Sequence, residues 1–362
     1  MMAAGPEWVQ DILGPDYQST TLRVPARDGT GDYRSTLVRH RPAGSGSAPA
    51  RTGGAWPPRE AGAGGRQVLP PVLFIHGWSD YFYNTALAEF FTSRGHPFYA
   101  IDLHNHGRSL DSVELGGYVA DLADYDAEIL AAHQLIAGAH PVDAAEHRPA
   151  EQLADRTGVP TPVVLVGHST GGLIATLWAH HHPGLVGNLI LNSPWLEIQG
   201  GAAIRRAATP LVQLADLRPL MRMRVPERSF YWRGISDQAY GEWPVDKSLR
   251  PPQAFPVRAG WMKAILAAQQ EVASGLKLPM PILVLLSAKS MLGPVWSDAM
   301  LHADVVLDVR SLALRTLSLG DSVSLERIEG ALHEVFLSLG PVRHEAYARL
   351  ERWMRGYVDP PA

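Results

Sequence analysis

The chain has 362 residues, of which 19% are charged and 46% apolar, with a formal net charge of −4 and no cysteine. That length holds one large domain with an insertion, or two ordinary domains, and the near-neutral balance without a basic tract argues against a nucleic-acid partner. The missing cysteines exclude disulfides, thiolate metal sites and a cysteine nucleophile. Residues 1–8 show neither a basic nor an apolar leader pattern, and no run of about 18 apolar residues offers a membrane span. The expectation is a cytoplasmic globular protein without a cofactor, its oligomeric state left open.

In chain order, strand-like runs fall at 20–25, 33–40, 72–76, 97–101, 162–167, 186–192, 282–287 and 322–328. Helical patterns fall at 84–94, 117–137, 170–182, 308–317 and 342–356. The first two runs read as an antiparallel lead-in hairpin. The alternation after them predicts an α/β fold with a mostly parallel sheet covered on both faces. The last helix is signalled by Pro341 at its start and by the stripe Val342, Ala346, Leu350, Trp353 and Met354.

Two segments break this rhythm. Residues 42–70 are rich in Gly, Ala, Pro and Ser and read as a flexible surface loop. Residues 195–275 carry Trp195, Trp232, Trp243 and Trp261 and the cluster Phe230-Tyr231-Trp232 between two core strands. This is too long for a connection and reads as an inserted cap. The organisation is then 1–194 as the first part of the core, 195–275 as the cap, and 276–362 as the second part.

The chemistry centres on Gly167-His168-Ser169-Thr170-Gly171, which follows the apolar run Pro162–Val166 and opens an apolar helix. A serine between small residues at a strand-to-helix turn is the nucleophile-elbow pattern, in which Gly167 and Gly171 let the turn tighten and Ser169 projects outward. Such a serine needs a base, a group to orient the base, and donors for an oxyanion. His76-Gly77-Trp78 ends an earlier strand, so the N–H groups of Trp78 and Thr170 are the candidate donors. His333 lies just past strand 322–328 and is the best base among the fifteen histidines. Asp298, Asp304 and Asp308 lie downstream of strand 282–287 as candidate acids.

With these motifs in place, the chain resembles the α/β-hydrolases of the monoacylglycerol-lipase and serine-aminopeptidase-like group over most of residues 70–350. The resemblance rests on His76-Gly77-Trp78, Asp102–Ser109, Gly167–Gly172, Ala303–Asp308 and Leu332-His333-Glu334. It implies an α/β-hydrolase fold and a triad of Ser169, His333 and Asp304, because Ala303-Asp304 followed by Asp308 is similar to the family's acid loop. Asp308 is the alternative acid. The chain departs from the family where Ser287–Gly293 and a longer segment intervene before the acid. The activity implied is hydrolysis of a carboxylic ester with an apolar, monoglyceride-like acyl group, a small-molecule substrate. Alternatives are an aminopeptidase or amidase, with Glu197 or Asp237 as amine anchor, a C–C hydrolase or lyase, and a binding protein without turnover.

The histidines also invite a metal reading at His104 and His106, and at His180-His181-His182. No acidic ligand adjoins the first pair, and the second group ends a helix, where it is expected to cap carbonyls. No metal is expected. The segment 195–275 holds eleven Lys/Arg against seven Asp/Glu, which reads as a solvated face before it reads as an anion site.

Overall fold

The computed structural model describes residues 6–29, 31–42, 69–141, 161–198, 215–224 and 229–359. The loop expected at 42–70 falls almost wholly outside them, as do 199–214 and 225–228 of the expected cap.

Alternating burial in β2 (Gly14–Pro25) and β3 (Asp32–His40) makes an antiparallel ribbon, edged by the short β1 (Val9–Asp11). The strands that follow are apolar almost throughout and buried on both faces: β4 (Val72–Ile75), β5 (Phe98–Asp102), β6 (Val163–His168), β7 (Val186–Asn192) and β8 (Ile282–Ser287). The half-exposed β9 (Val323–Ile328) closes the far edge. Together they form a nine-stranded sheet in the order β1-β2-β3-β5-β4-β6-β7-β8-β9, parallel from β5 to β9.

Period-two alternation divides each parallel strand between the two faces. Leu73, Ile75, Leu165, Leu189, Leu191, Val284 and Leu286 enter one core with residues of α2 (Asp126–Ala139), α3 (Thr170–His181) and α5 (Ala259–Ala273). Phe74, Val164, Val166, Ile190, Leu283 and Leu285 enter the other, with α1 (Thr85–Thr92) and α7 (Gly340–Tyr357). This is the doubly covered parallel sheet expected from the sequence. The sequence placed the start of α2 too early: residues 117–121 are irregular, Leu122–Tyr125 form a single tight turn capped by Asp121, and the α-helix begins at Asp126.

The chain visits β4, then β5 on one side, then β6 on the other. Loops leaving the carboxyl ends of β4 and β6 therefore diverge and leave a crevice, the usual place for a site in an open α/β sheet. Between β7 and β8 lies the inserted stretch, including the short α4 (Phe230–Ile235) and α5. Trp232, Ile235, Trp243 and Val245 of that stretch pack on Tyr81 and Tyr83 after β4 and on Leu332 and Leu337 after β9. The helix α6 (Val309–Thr316) lies between β8 and β9.

Candidate active site

β6 ends at His168, and α3 begins at Thr170, so the whole reversal falls on Ser169, held at φ 52° and ψ −118°. A non-glycine residue there carries strain of about 1–3 kcal/mol, tolerated only where the surroundings impose it. They do. The Ser169 N–H donates to the Asn192 carbonyl at 3.0 Å, and the Ser169 carbonyl accepts from Gly172 at 3.0 Å and Trp195 at 2.9 Å. A Cβ at Gly167 would lie 2.6 Å from the Gly171 carbonyl oxygen, and one at Gly171 would overlap the carbonyl of His76. Both positions demand glycine, and α3 is thereby pressed against the end of β4.

His333 comes from the loop after β9. Its Nε2 stands 3.0 Å from Ser169 Oγ and its Nδ1 stands 2.9 Å from Asp304 Oδ2. The carboxylate can only accept, so Nδ1 carries the proton and Nε2 is left as an acceptor for the serine hydroxyl. His333 and Asp304 are both almost inaccessible, at 2% and 0% exposure, whereas Ser169 remains half-buried.

Asp304 reaches its place by an unusual route. After β8 the chain departs at 291–303 and returns, with the Asp304 N–H donating to Lys289 O at 3.0 Å and the Met291 N–H donating to Asp304 O at 2.7 Å. The excursion is thus closed at its neck by the bridge between Ser290 and Asp304. Asp304 Oδ1 accepts from the N–H groups of Val306 at 2.7 Å and Leu307 at 2.8 Å, which leaves Oδ2 for the imidazole.

Opposite these groups, Trp78 and Thr170 line one narrow cavity with His76, Gly77, Ile174 and Trp261. Thr170 opens α3, where the first N–H groups have no partner within the helix and the dipole favours negative charge. The Trp78 indole donates to Gly117 O at 2.8 Å and packs 4.4 Å from the Trp261 ring. His76 Nε2 accepts from the Leu103 N–H at 3.1 Å, so its Nδ1 donates to Gly77 O at 2.7 Å and fixes the loop that carries Trp78. His168 lies beneath, its ring 4.9 Å from that of His333; burial above all, then the neighbouring His333, holds it well below the usual histidine range.

The alpha/beta hydrolase family profile matches residues 72–350. The chain belongs to the alpha/beta hydrolase family. No curated protein matches its sequence. Solved structures share the fold at low identity. A monoacylglycerol lipase from Paleococcus ferrophilus superposes with a TM-score of 0.53 at 16% identity, over 79% of this chain and 95% of that one. A soluble variant of the monoglyceride lipase from Saccharomyces cerevisiae gives 0.55 at 12% identity, over 99% and 98%. A thermophilic esterase from Thermogutta terrifontis gives 0.53 at 14%, over 94% and 99%.

In this alpha/beta hydrolase chain Asp308, the alternative acid, stands apart from His333. It caps α6, accepting from the Arg310 N–H at 3.1 Å and from Ser311 Oγ at 2.7 Å. The hydrogen bond from Ser311 chiefly holds its carboxyl below the ordinary range. His104 does have an acidic neighbour, supplied from α2: Glu128 accepts from its backbone N–H at 3.0 Å and pairs with its Nδ1. His181 and His182 pair with Glu271 at 2.7 Å and Asp126 at 2.6 Å instead of capping carbonyls. Among the described residues, no group of three or more His, Asp or Glu is placed to hold a metal ion. Glu197, one candidate amine anchor, is engaged by Arg315.

Sequence reasoning gave no role to five neighbours of the site, although Tyr231 stood in the noted aromatic cluster and Glu334 beside His333 in a quoted motif. Asp80, buried after β4, forms an ion pair with the buried Arg250 of the inserted stretch. Tyr231 sets its ring edge-on to His333 at 5.3 Å. Asn192 and Glu334 hydrogen-bond to each other. For Asn192 the available signal was a polar residue closing a largely apolar strand.

Proposed function

We propose that this chain is a serine hydrolase that cleaves a carboxylic ester through an acyl-enzyme on Ser169. The supporting observation is the continuous hydrogen-bonded line from Ser169 through His333 to Asp304, with its serine end at the crevice.

In this reading, His333 Nε2 takes the hydroxyl proton as Ser169 Oγ attacks the ester carbonyl. The N–H groups of Trp78 and Thr170 receive the developing oxyanion. The tetrahedral intermediate collapses, His333 returns the proton to the departing alkoxide, and an alcohol leaves. Water then adds to the acyl-enzyme with His333 again as base, which releases the acid and restores Ser169. Asp304 stays ionised, fixes the imidazole tautomer and stabilises the imidazolium formed in each half. Donors already in place are worth ~10²–10³ in kcat each in comparable sites.

Residues 195–275 serve as a cap in this reading, since their described parts pack over the loops after β4 and β9. Trp78, Tyr231 and Trp261 give the crevice aromatic walls, which suit an apolar acyl ester of the monoglyceride type. Two of the structural relatives are monoglyceride lipases by name. The test is turnover of p-nitrophenyl esters from acetyl to palmitoyl by the purified protein, with Ser169→Ala as control. Turnover that disappears in the variant supports the assignment, and the peak chain length reports the acyl pocket. Turnover retained in Ser169→Ala, or absent on every ester, defeats it.

A further inference from the structure

We propose that Asn192 and Glu334 form a brace that fixes His333 against Ser169, which makes both positioning residues for the reaction proposed above. The inference rests on that reading of Ser169 and His333.

His333 lies on a loop with no strand or helix hydrogen bonds of its own to hold it. The residues after it are tied instead to the end of β7. The Val335 N–H donates to Asn192 Oδ1 at 3.1 Å, and Asn192 Nδ2 donates to Glu334 Oε1. Glu334 Oε1 also accepts from the Phe336 N–H at 3.1 Å. The same Asn192 accepts the Ser169 N–H through its carbonyl at 3.0 Å, and that oxygen lies 3.2 Å from His168 Nδ1. One buried residue thus holds the nucleophile by its main chain and, by its side chain, the two residues that follow the base. Register explains how: Asn192 pairs with His168 across β6 and β7, one residue from the elbow.

The amide uses both ends, as it must, since Asn192 is fully inaccessible and Glu334 only 3% exposed. An aspartate would lack the donor, and a leucine would orphan the Val335 N–H. A shift of 1 Å between reacting groups costs ~10²-fold in rate, so a brace of this kind belongs to the chemistry as well as to the fold.

The experiment measures labelling of Ser169 by a fluorophosphonate, together with kcat and KM on p-nitrophenyl butyrate. Asn192→Leu and Glu334→Met are each expected to lower the labelling rate and kcat by ~10²-fold, with KM within about threefold and a cooperative thermal melt. Glu334→Gln, whose amide carbonyl can still accept from Asn192 and Phe336, should retain kcat within about tenfold of wild type. Glu334→Met fills the same volume and keeps the test open if Asn192→Leu fails to fold. The brace is overturned if folded Glu334→Met labels at the wild-type rate, or if Glu334→Gln falls as far as Glu334→Met. Wild-type protein that resists labelling, or Ser169→Ala that labels equally, would overturn the assignment of Ser169 and the brace with it.

Discussion

Arg250 and Asp80 face each other at 3.1 Å, each less than a tenth exposed, across the seam between the inserted stretch and the loop that carries Trp78. The seam is fastened twice more: the Phe255 N–H donates to Ser79 Oγ at 2.9 Å, and the Asp246 N–H donates to Tyr81 Oη at 3.0 Å. Burial pushes the Asp80 carboxyl up, against the pull of Arg250.

Breaking the pair from one side leaves the other charge uncompensated. Arg250→Met is expected to destabilise the protein by about 3–5 kcal/mol, and the double variant Asp80→Asn/Arg250→Met by much less. Urea unfolding of the three proteins measures this. Equal losses in the single and double variants would show that the pair is not the source of the cost.

Ser169→Ala should lower kcat by ~10⁴-fold or more while leaving the thermal melt intact. Ser169→Gly removes the side chain from a conformation with positive φ and is expected to raise stability by about 1 kcal/mol. Activity assays and denaturation on the same samples separate the two effects.

Asp304→Asn reverses the hydrogen bond to His333 and should lower kcat by ~10⁴-fold. Asp308→Ala removes a helix cap and should lower stability by about 1 kcal/mol, with kcat little changed. The opposite pattern in the two variants would exchange their roles.

Glu334 sets a pH dependence of stability. Burial raises its carboxyl to about 8, against the hydrogen bonds from Phe336 and Asn192. The folded protein therefore keeps a proton that the unfolded chain releases near the ordinary pKa of 4.5. This contribution is fully present below that value and is lost as pH rises toward 8. Groups around it include Asp80, His76, Tyr83 and His168, which share its cavity, together with Arg250, Tyr231, Tyr347 and the adjacent His333. Between pH 5 and pH 8 the wild-type melting temperature should fall further than that of Glu334→Gln. Parallel curves would show that Glu334 ionises without burden.

The elbow was legible in the sequence because every constraint on it is local: two glycines, an apolar strand and an apolar helix within twenty residues. His333 was legible for a similar reason, as the histidine between the last strand and the last helix. Asp304 came from resemblance, since nothing in residues 288–303 announces that the excursion returns to its starting point. Asn192 and Glu334 lie 142 residues apart in sequence. Their contact depends on the register of β7 beside β6 and on the path of the loop after β9, which no local pattern encodes. The same holds for Asp80 and Arg250, whose meeting depends on how the inserted stretch folds back.

The neck that joins Lys289, Ser290 and Met291 to Asp304 separates the length of the intervening chain from the position of the carboxylate. The hydrogen bonds that aim Asp304 lie at and beyond its neck, whereas the excursion has its own anchors, Trp296 against Phe230 and Tyr240 and the buried Met300. Its exposed tip, at Leu292 and Val295, is therefore a place where exchange would reshape the surface and leave the hydrogen-bonded line from Ser169 to Asp304 where it is.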